Sequence, residues 1–138
     1  MAYPKSPSPA DVVAARVARL GTQGPSGLID LVPITFAFVD DDTIVTAVDH
    51  KPKRTTRLRR LDNIRFNPQV TVLVDHYEDE WSRLWWARLR GTALVDEVPD
   101  DALLRPLVDK YPQYRDMRPA GPAIVIAVRD VTGWSARG

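Results

Sequence analysis

The spacing of apolar residues changes repeatedly along the chain, and each change marks an element. Ser8-Pro9-Ala10-Asp11 reads as a helix start, with Ser8 as N-cap, a proline at the first helical position and an early acid. Val12, Ala15, Val17 or Ala18, and Leu20 continue it as a short amphipathic helix ending at Gly21, a lid on a sheet. Gly24-Pro25-Ser26-Gly27 is a tight turn that feeds one long strand, Leu28 to Val39. Pro33 cannot donate to a ladder and marks a bulge or an edge, after which Ile34, Phe36 and Phe38 share a face. Asp40-Asp41-Asp42 is a solvated hairpin tip; three carboxylates without further ligands at fixed spacing do not make a metal site. The β-branched run Thr43 to Val48 is a strand.

Beyond Asn67-Pro68, which ends a helix, Val70 to Val74 is apolar on both faces and therefore central. After the polar turn Asp75 to Glu80, Trp81 to Arg90 forms a strand with Trp81, Trp85 and Ala87 on one face and Leu84 and Trp86 on the other. Apolar groups on both faces ask for cover on both sides, and in a short chain the second cover is another subunit. Gly91 suits a bulge before Thr92 to Val95. Pro99 opens a helix, Asp100 to Lys110, with acids early and a lysine last. Tyr111 to Pro122 is an irregular connection, Ala123 to Val128 a buried strand, and Trp134 a terminal aromatic that docks into a groove. About six strands with two or three helices fit a small antiparallel barrel with flanking helices, one domain over residues 1–138.

Charge changes this picture in one place. Between Lys51 and Arg65 stand seven basic residues, Lys51, Lys53, Arg54, Arg57, Arg59, Arg60 and Arg65, against one acid, Asp62, in a chain whose net charge is only +1. So local an excess needs a local partner. A helix begun at Lys53 would put Arg54 and Arg57 on the face of Leu58, Leu61 and Ile64, burying charge. Beginning near Thr55 or Thr56 avoids part of that conflict. Either threonine then caps the helix and Arg57 sits in its first turn, where a cation is unfavourable without an anion. That is the geometry of a phosphate site. If the register extends back to Lys53, then Lys53, Thr56, Arg60 and Asn63 share a face. The competing reading is a solvated basic helix.

Composition removes several classes. The chain has no cysteine, so disulfides, thiolate zinc sites and thiol nucleophiles are out and redox chemistry must be borrowed from a cofactor. Its two histidines, His50 and His76, have no supporting motif for a metal or a triad. No Gly-x-Gly-x-x-Gly or Walker loop occurs. No apolar run approaches the roughly 20 residues that span a bilayer, and the N-terminus lacks a signal sequence, so a cytoplasmic protein without membrane partners is expected. The basic patch beside aromatics keeps a nucleic-acid-binding module in view, but its narrowness and the near-zero net charge argue against nucleic acid.

The order of features then resembles a known family. Gly27 to Ile34, Thr46-Ala47-Val48-Asp49-His50-Lys51-Pro52-Lys53, Leu58 to Val70, and Asp75-His76-Tyr77 with Trp81 to Gly91 are similar to the pyridoxamine phosphate oxidase-like split β-barrel proteins. More narrowly they resemble the actinobacterial members that use the deazaflavin coenzyme F420. The helix followed by Asn-Pro-x-Val is common to flavin and deazaflavin members; Lys-Pro-Lys and Leu-Trp-Trp are the narrower signals.

The resemblance implies a homodimer with two cofactor sites at the interface, each built from both chains. It implies that Lys51, Lys53, Arg57 and Arg60, with Thr55 or Thr56, hold the cofactor's phosphate and, for F420, its polyglutamate tail. Thr46, Ala47 and Val48, and the strand Val72 to Asp75 with Val74, would flank the ring system. Trp85, Trp86 or Trp134 would close the pocket, with His76 beside it. Many relatives carry lysine where this chain has Arg60, which keeps charge but changes geometry. The expected activity is hydride transfer from reduced F420 to an unsaturated small molecule, with His76 and Tyr77 as candidate proton donors and no catalytic residue assigned. The alternatives are an FMN-binding flavoprotein and a non-catalytic binding module.

Overall fold

The computed structural model describes residues 7–48 and 58–137. Seven strands pair in one antiparallel sheet: β1 Ala18–Gln23, β2 Ile29–Ile34, β3 Ala37–Asp40, β4 Thr43–Ala47, β5 Gln69–His76, β6 Trp85–Asp96 and β7 Ala123–Ser135. Their order is β2-β1-β5-β6-β7-β4-β3. The flanking helices are α1 Pro9–Ala14, α2 Arg59–Phe66, α3 Asp101–Lys110 and α4 Pro112–Asp116. Leu20 of β1, Val72 of β5, Leu89 of β6, Ile126 of β7 and Ile44 of β4 belong to one buried cluster, so the sheet curls round a common core. It is a split β-barrel whose two edge strands, β2 and β3, follow one another in sequence. A second cluster, with Val45, Ala47, Leu104, Leu107 and Tyr111, seats α3 on the outside of β3, β4 and β7. Along β4 the alternation is therefore inward for Ile44 and outward for Val45 and Ala47. No helix among the described residues is long and apolar enough to cross a membrane.

The first helix is shorter than its apolar spacing predicts. It is capped by Ser8 as expected, but stops at Ala14. Ala18 and Leu20 are fully buried on one face of β1, with Arg19 turned outward. Gly21 is not a helix cap; a Cβ there would lie 3.2 Å from Leu31 Cδ2, so the glycine lets β1 and β2 pack closely. The run 28–39 is two strands rather than one. Between them the Tyr111 hydroxyl accepts from Phe36 N–H at 3.1 Å and faces the Phe36 and Arg16 carbonyls as donor, at 3.1 and 3.0 Å. These partners replace the ladder where the chain turns from one sheet edge to the other. Pro33 lies on the edge strand, as its missing N–H requires.

Three further expectations change. Trp81 is not in a strand: Trp81–Arg83 is a single 3-10 turn closed by Leu84 N–H on Trp81 O, and β6 starts at Trp85. Trp85 faces the core, Trp86 faces outward, and Leu84 precedes the strand. The connection 111–122 contains α4. The terminal residues continue the last strand through Ser135 instead of forming a separate tail, because β6 is long enough to pair with all of it. Gly91 does lie at a bulge, but the extra residue is Arg129 of the facing strand β7; a Cβ on Gly91 would sit 2.3 Å from the Ala127 carbonyl oxygen. At the β3–β4 tip, Asp42 N–H donates to Asp40 Oδ1 at 3.0 Å and holds that carboxyl below its usual range.

Helix α2 begins later than Thr55 or Thr56. Leu58 is its N-cap residue, extended and without a side-chain cap, and helical geometry starts at Arg59; the expectations for Thr55, Thr56 and Arg57 lie outside the described residues. Arg59 and Arg60 are the cations of the first turn. Leu61 and Ile64 enter the core, as their spacing predicts.

Candidate functional site

The sites expected at Lys51, Lys53, Thr55, Thr56 and Arg57 lie outside the described residues. In the chain they are framed by the end of β4 on one side and by Leu58 with the first turn of α2 on the other.

Asn63 fixes α2 in position. It is buried, and its Nδ2 donates to Thr22 Oγ1 at 3.0 Å and Asp30 Oδ2 at 2.8 Å, tying the helix to the β1–β2 hairpin. Gly24 makes room for it; a Cβ on Gly24 would stand 2.3 Å from Asn63 Oδ1. Arg60, one turn earlier, therefore leaves a helix whose rotation is fixed from below.

Thr46 and Ala47 are buried on β4, while Val48 is half-buried and donates its N–H to the Pro122 carbonyl at 3.0 Å. On the other side of the proposed pocket, Val74 is fully buried in the core and offers no side-chain surface to a ligand. His76 and Trp85 are cross-strand partners whose rings stack with centroids 6.4 Å apart. His76 Nε2 also contacts Glu78 Oε2. Both aromatic residues line a cleft of about 490 Å³ with Asp75, Glu78, Arg83 and Arg137. Its charges are mixed, and Asp75 is paired with Arg19 at 3.2 Å. Tyr77 is exposed and its hydroxyl accepts from Trp81 Nε1 at 3.4 Å.

Strand register shows which of these groups can meet. Ala47 pairs with Ala123 at the start of β7, whereas Trp85 pairs with Ser135 at its end. The two positions are separated by on the order of 40 Å of strand at ~3.3 Å per residue. One chain therefore does not bring Thr46, Ala47 and Val48 to His76 and Trp85. Trp86 is not with Trp85 either: it lies on the opposite face, beside Trp134.

That outer face holds the feature the sequence did not reveal. Register places Ile29 and Leu31 of β2, Leu73 of β5, and Trp86 and Arg88 of β6 on it together. Ile29 is 61% and Leu31 70% exposed. The Arg88 guanidinium lies over the Trp86 ring, 5.4 Å from its centroid, and its Nε is buried with no hydrogen-bond partner among the described residues. A cation on an apolar sheet face with a dry, unpaired N–H is incomplete as it stands. The two-sided apolar content of β5 and β6 already asks for cover on this face; what the sequence does not contain is the pairing that brings Ile29 and Leu31 of β2 onto it.

The family model for pyridoxamine 5'-phosphate oxidase matches residues 10–135. No curated protein matches the sequence. Among solved structures, a conserved hypothetical protein of Mycobacterium tuberculosis superposes with a TM-score of 0.69 at 21% identity, over 99% of this chain and 91% of the other. An F420 reductase superposes at 0.63 with 19% identity, over 88% and 94% of the two chains. The heme storage protein of Vibrio cholerae gives 0.64 at 10% identity, over 90% and 91%. These identities speak for the fold alone. The family model, which runs from α1 to the end of β7, decides the membership: the chain belongs to the pyridoxamine 5'-phosphate oxidase family.

Proposed function

We propose that the chain is an F420-dependent oxidoreductase, acting as a homodimer on an unsaturated small molecule. The observation that carries this reading is the block of seven basic residues between Lys51 and Arg65 in a chain of net charge +1. The framing segments suit an anion. The first-turn amides of α2 have no side-chain cap, and Arg59 and Arg60 stand where cations oppose the helix dipole, by about 0.3–1 kcal/mol each unless an anion is present. Arg60, with Lys51, Lys53, Arg57 and Thr55 or Thr56, would hold the phosphate and the polyglutamate carboxylates. FMN lacks that tail and would leave several of the basic residues without a role. The F420 reductase among the structural relatives supports the same choice.

When bound, the reduced deazaflavin supplies the hydride, and the protein's part is binding, orientation and exclusion of water. The two half-sites at opposite ends of β7 favour a pocket in which β4 of one chain faces His76 and Trp85 of its partner. The exposed Ile29, Leu31 and Leu73, and the Arg88 Nε that has no hydrogen-bond partner among the described residues, favour a second copy as cover for the outer face. His76 is the better placed of the two candidate proton donors, since it lines a cleft while Tyr77 stands in solvent.

Fluorescence titration of the purified protein with F420, FMN and single-stranded DNA tests the reading. Micromolar or tighter binding of F420 that weakens with salt and in Lys53→Ala or Arg57→Ala is expected. Tight FMN binding with no response to F420 would overturn it in favour of the flavoprotein alternative, to which the family match lends support.

A further inference from the structure

The cleft that holds His76 and Trp85 also holds two arginines that no acid neutralises. Trp85 pairs with Ser135, and the Ala136 N–H donates to the Leu84 carbonyl at 2.9 Å, so the two segments run on side by side past the end of β6. The next residues along them are Arg83 and Arg137, and both line the cleft. Neither side chain has an ion pair or hydrogen bond among the described residues. Like charges set opposite one another on neighbouring strands repel, unless an anion lies between them. The other charges of the cleft are engaged. Arg19 pairs with Asp75 at 3.2 Å, His76 Nε2 contacts Glu78 Oε2, and Arg16 Nη1 donates to the Lys110 carbonyl at 2.7 Å. Asp11 of α1 is the one acid in the lining without an ion pair among the described residues. With Arg19 included, four guanidiniums stand against three carboxylates, an excess of one positive charge. That excess suits a monoanion better than a phosphate dianion. The wall next to the arginines is flat: the rings of Trp85 and His76 stack 20° from parallel, with Ala14 and Val17 close by.

We propose that this cleft anchors the substrate, with Arg83 and Arg137 gripping a carboxylate and the Trp85 ring carrying the planar, conjugated part joined to it. The inference rests on the reading of the chain as an oxidoreductase for an unsaturated small molecule, and it narrows that molecule to an unsaturated carboxylic acid, ionised at neutral pH. A guanidinium presents parallel N–H donors that match the two oxygens of a carboxylate, and two guanidiniums from opposite segments fix both its position and its plane. Conjugation keeps the carboxylate coplanar with the unsaturated carbons, so holding the one lays the other against the indole. His76, stacked on Trp85, is then next to the bound acid, as a candidate proton donor has to be. The basic block between Lys51 and Arg65 is left to the cofactor.

The test uses three probes titrated into the full chain and followed by ligand-observed nuclear magnetic resonance: cinnamate, a planar unsaturated monoanion; cinnamamide, the same shape without the charge; and phenyl phosphate, a dianion. Cinnamate is expected to bind about tenfold tighter than cinnamamide, and Arg83→Gln and Arg137→Gln each to weaken it about tenfold, the size of one charge-assisted contact. Arg105→Gln, outside the cleft and paired with Asp109, should leave cinnamate binding unchanged. Circular dichroism of the variants checks that they fold. Cinnamate and cinnamamide binding alike, either cleft arginine being dispensable, or phenyl phosphate binding tighter than cinnamate, would overturn the proposal. Titrating F420 into the same variants separates the proposal from the reading beneath it. Unchanged F420 affinity in Arg83→Gln and Arg137→Gln is expected. Loss of F420 together with cinnamate would give the cleft to the cofactor, overturning the substrate anchor while upholding the F420 reading. A wild-type protein that binds cinnamate through both arginines but does not bind F420 would keep the carboxylate site and sink that reading instead.

Discussion

Asn63 makes its two hydrogen bonds from one buried amide, so truncating it strands groups on both sides. Asn63→Ala leaves Thr22 and Asp30 without that donor and should lower stability by about 2 kcal/mol. Gly24→Ala attacks the same contact from the other side, through a Cβ that overlaps Asn63 Oδ1. The two changes should be less than additive, which urea midpoints of both single variants and the double variant would show. A second residue-scale prediction concerns pH. Burial lowers the Lys110 pKa to about 8, so between that value and its ordinary 10.5 the unfolded chain keeps a proton the folded chain has released. Stability contributed at this site is least below pH 8 and rises across the window. Above pH 10 the sign reverses, because desolvation raises the Tyr111 pKa and the unfolded tyrosine ionises first. Urea titrations at pH 7 and 10 should show wild type gaining on Lys110→Met as pH rises; a constant difference would contradict the assignment. From the sequence, Lys110 is simply a cation well placed for the helix dipole. Its desolvation comes from Phe36, 74 residues away, which local pattern does not contain.

Elements were legible where caps and periodicity agree. The helix ending in Lys110 was readable from Pro99, the early acids and the final lysine; Asp100, expected inside it, is its N-cap, Oδ1 accepting from Leu103 N–H at 2.9 Å. Asp100→Ala should cost about 1 kcal/mol, measurable as a lowered denaturation midpoint with unchanged cofactor binding. Residues 15–21 were not legible as a strand. Val12, Ala15 and Leu20 fit a helical stripe, and only pairing with β2 and β5 turns Ala18 and Leu20 into inward positions of a strand. The same competition delayed the start of α2. Thr55 and Thr56 are good caps by type, but Leu58 is extended and half-buried against the core, so helical geometry begins one residue after it. Tertiary packing overrides propensity in both cases.

At the scale of the whole molecule, the barrel and its family were readable from the order of the motifs, whereas the site was readable only as an inventory of residues. Sequence brings Thr46, His76 and Trp85 into one list; register along β7 separates them within a chain, and the exposed outer face supplies a reason for a second copy to reunite them. Leu31 is the position that isolates this claim. It is 70% exposed and contacts little in its own chain, so Leu31→Arg should change the stability of an isolated chain by no more than about 0.5 kcal/mol. Placed inside a two-fold interface, the same change buries two unpaired cations close to the symmetry-related face, which already carries the Arg88 guanidinium. Light scattering should therefore give twice the chain mass for the wild type at micromolar concentration and the single-chain mass for Leu31→Arg, with far-ultraviolet circular dichroism unchanged. If the pocket needs both chains, the variant should lose F420 binding along with the dimer, although residue 31 is not among the proposed ligand contacts. A wild-type monomer that binds the cofactor would sink the two-chain site and leave the basic block between Lys51 and Arg65 as a site complete in one chain.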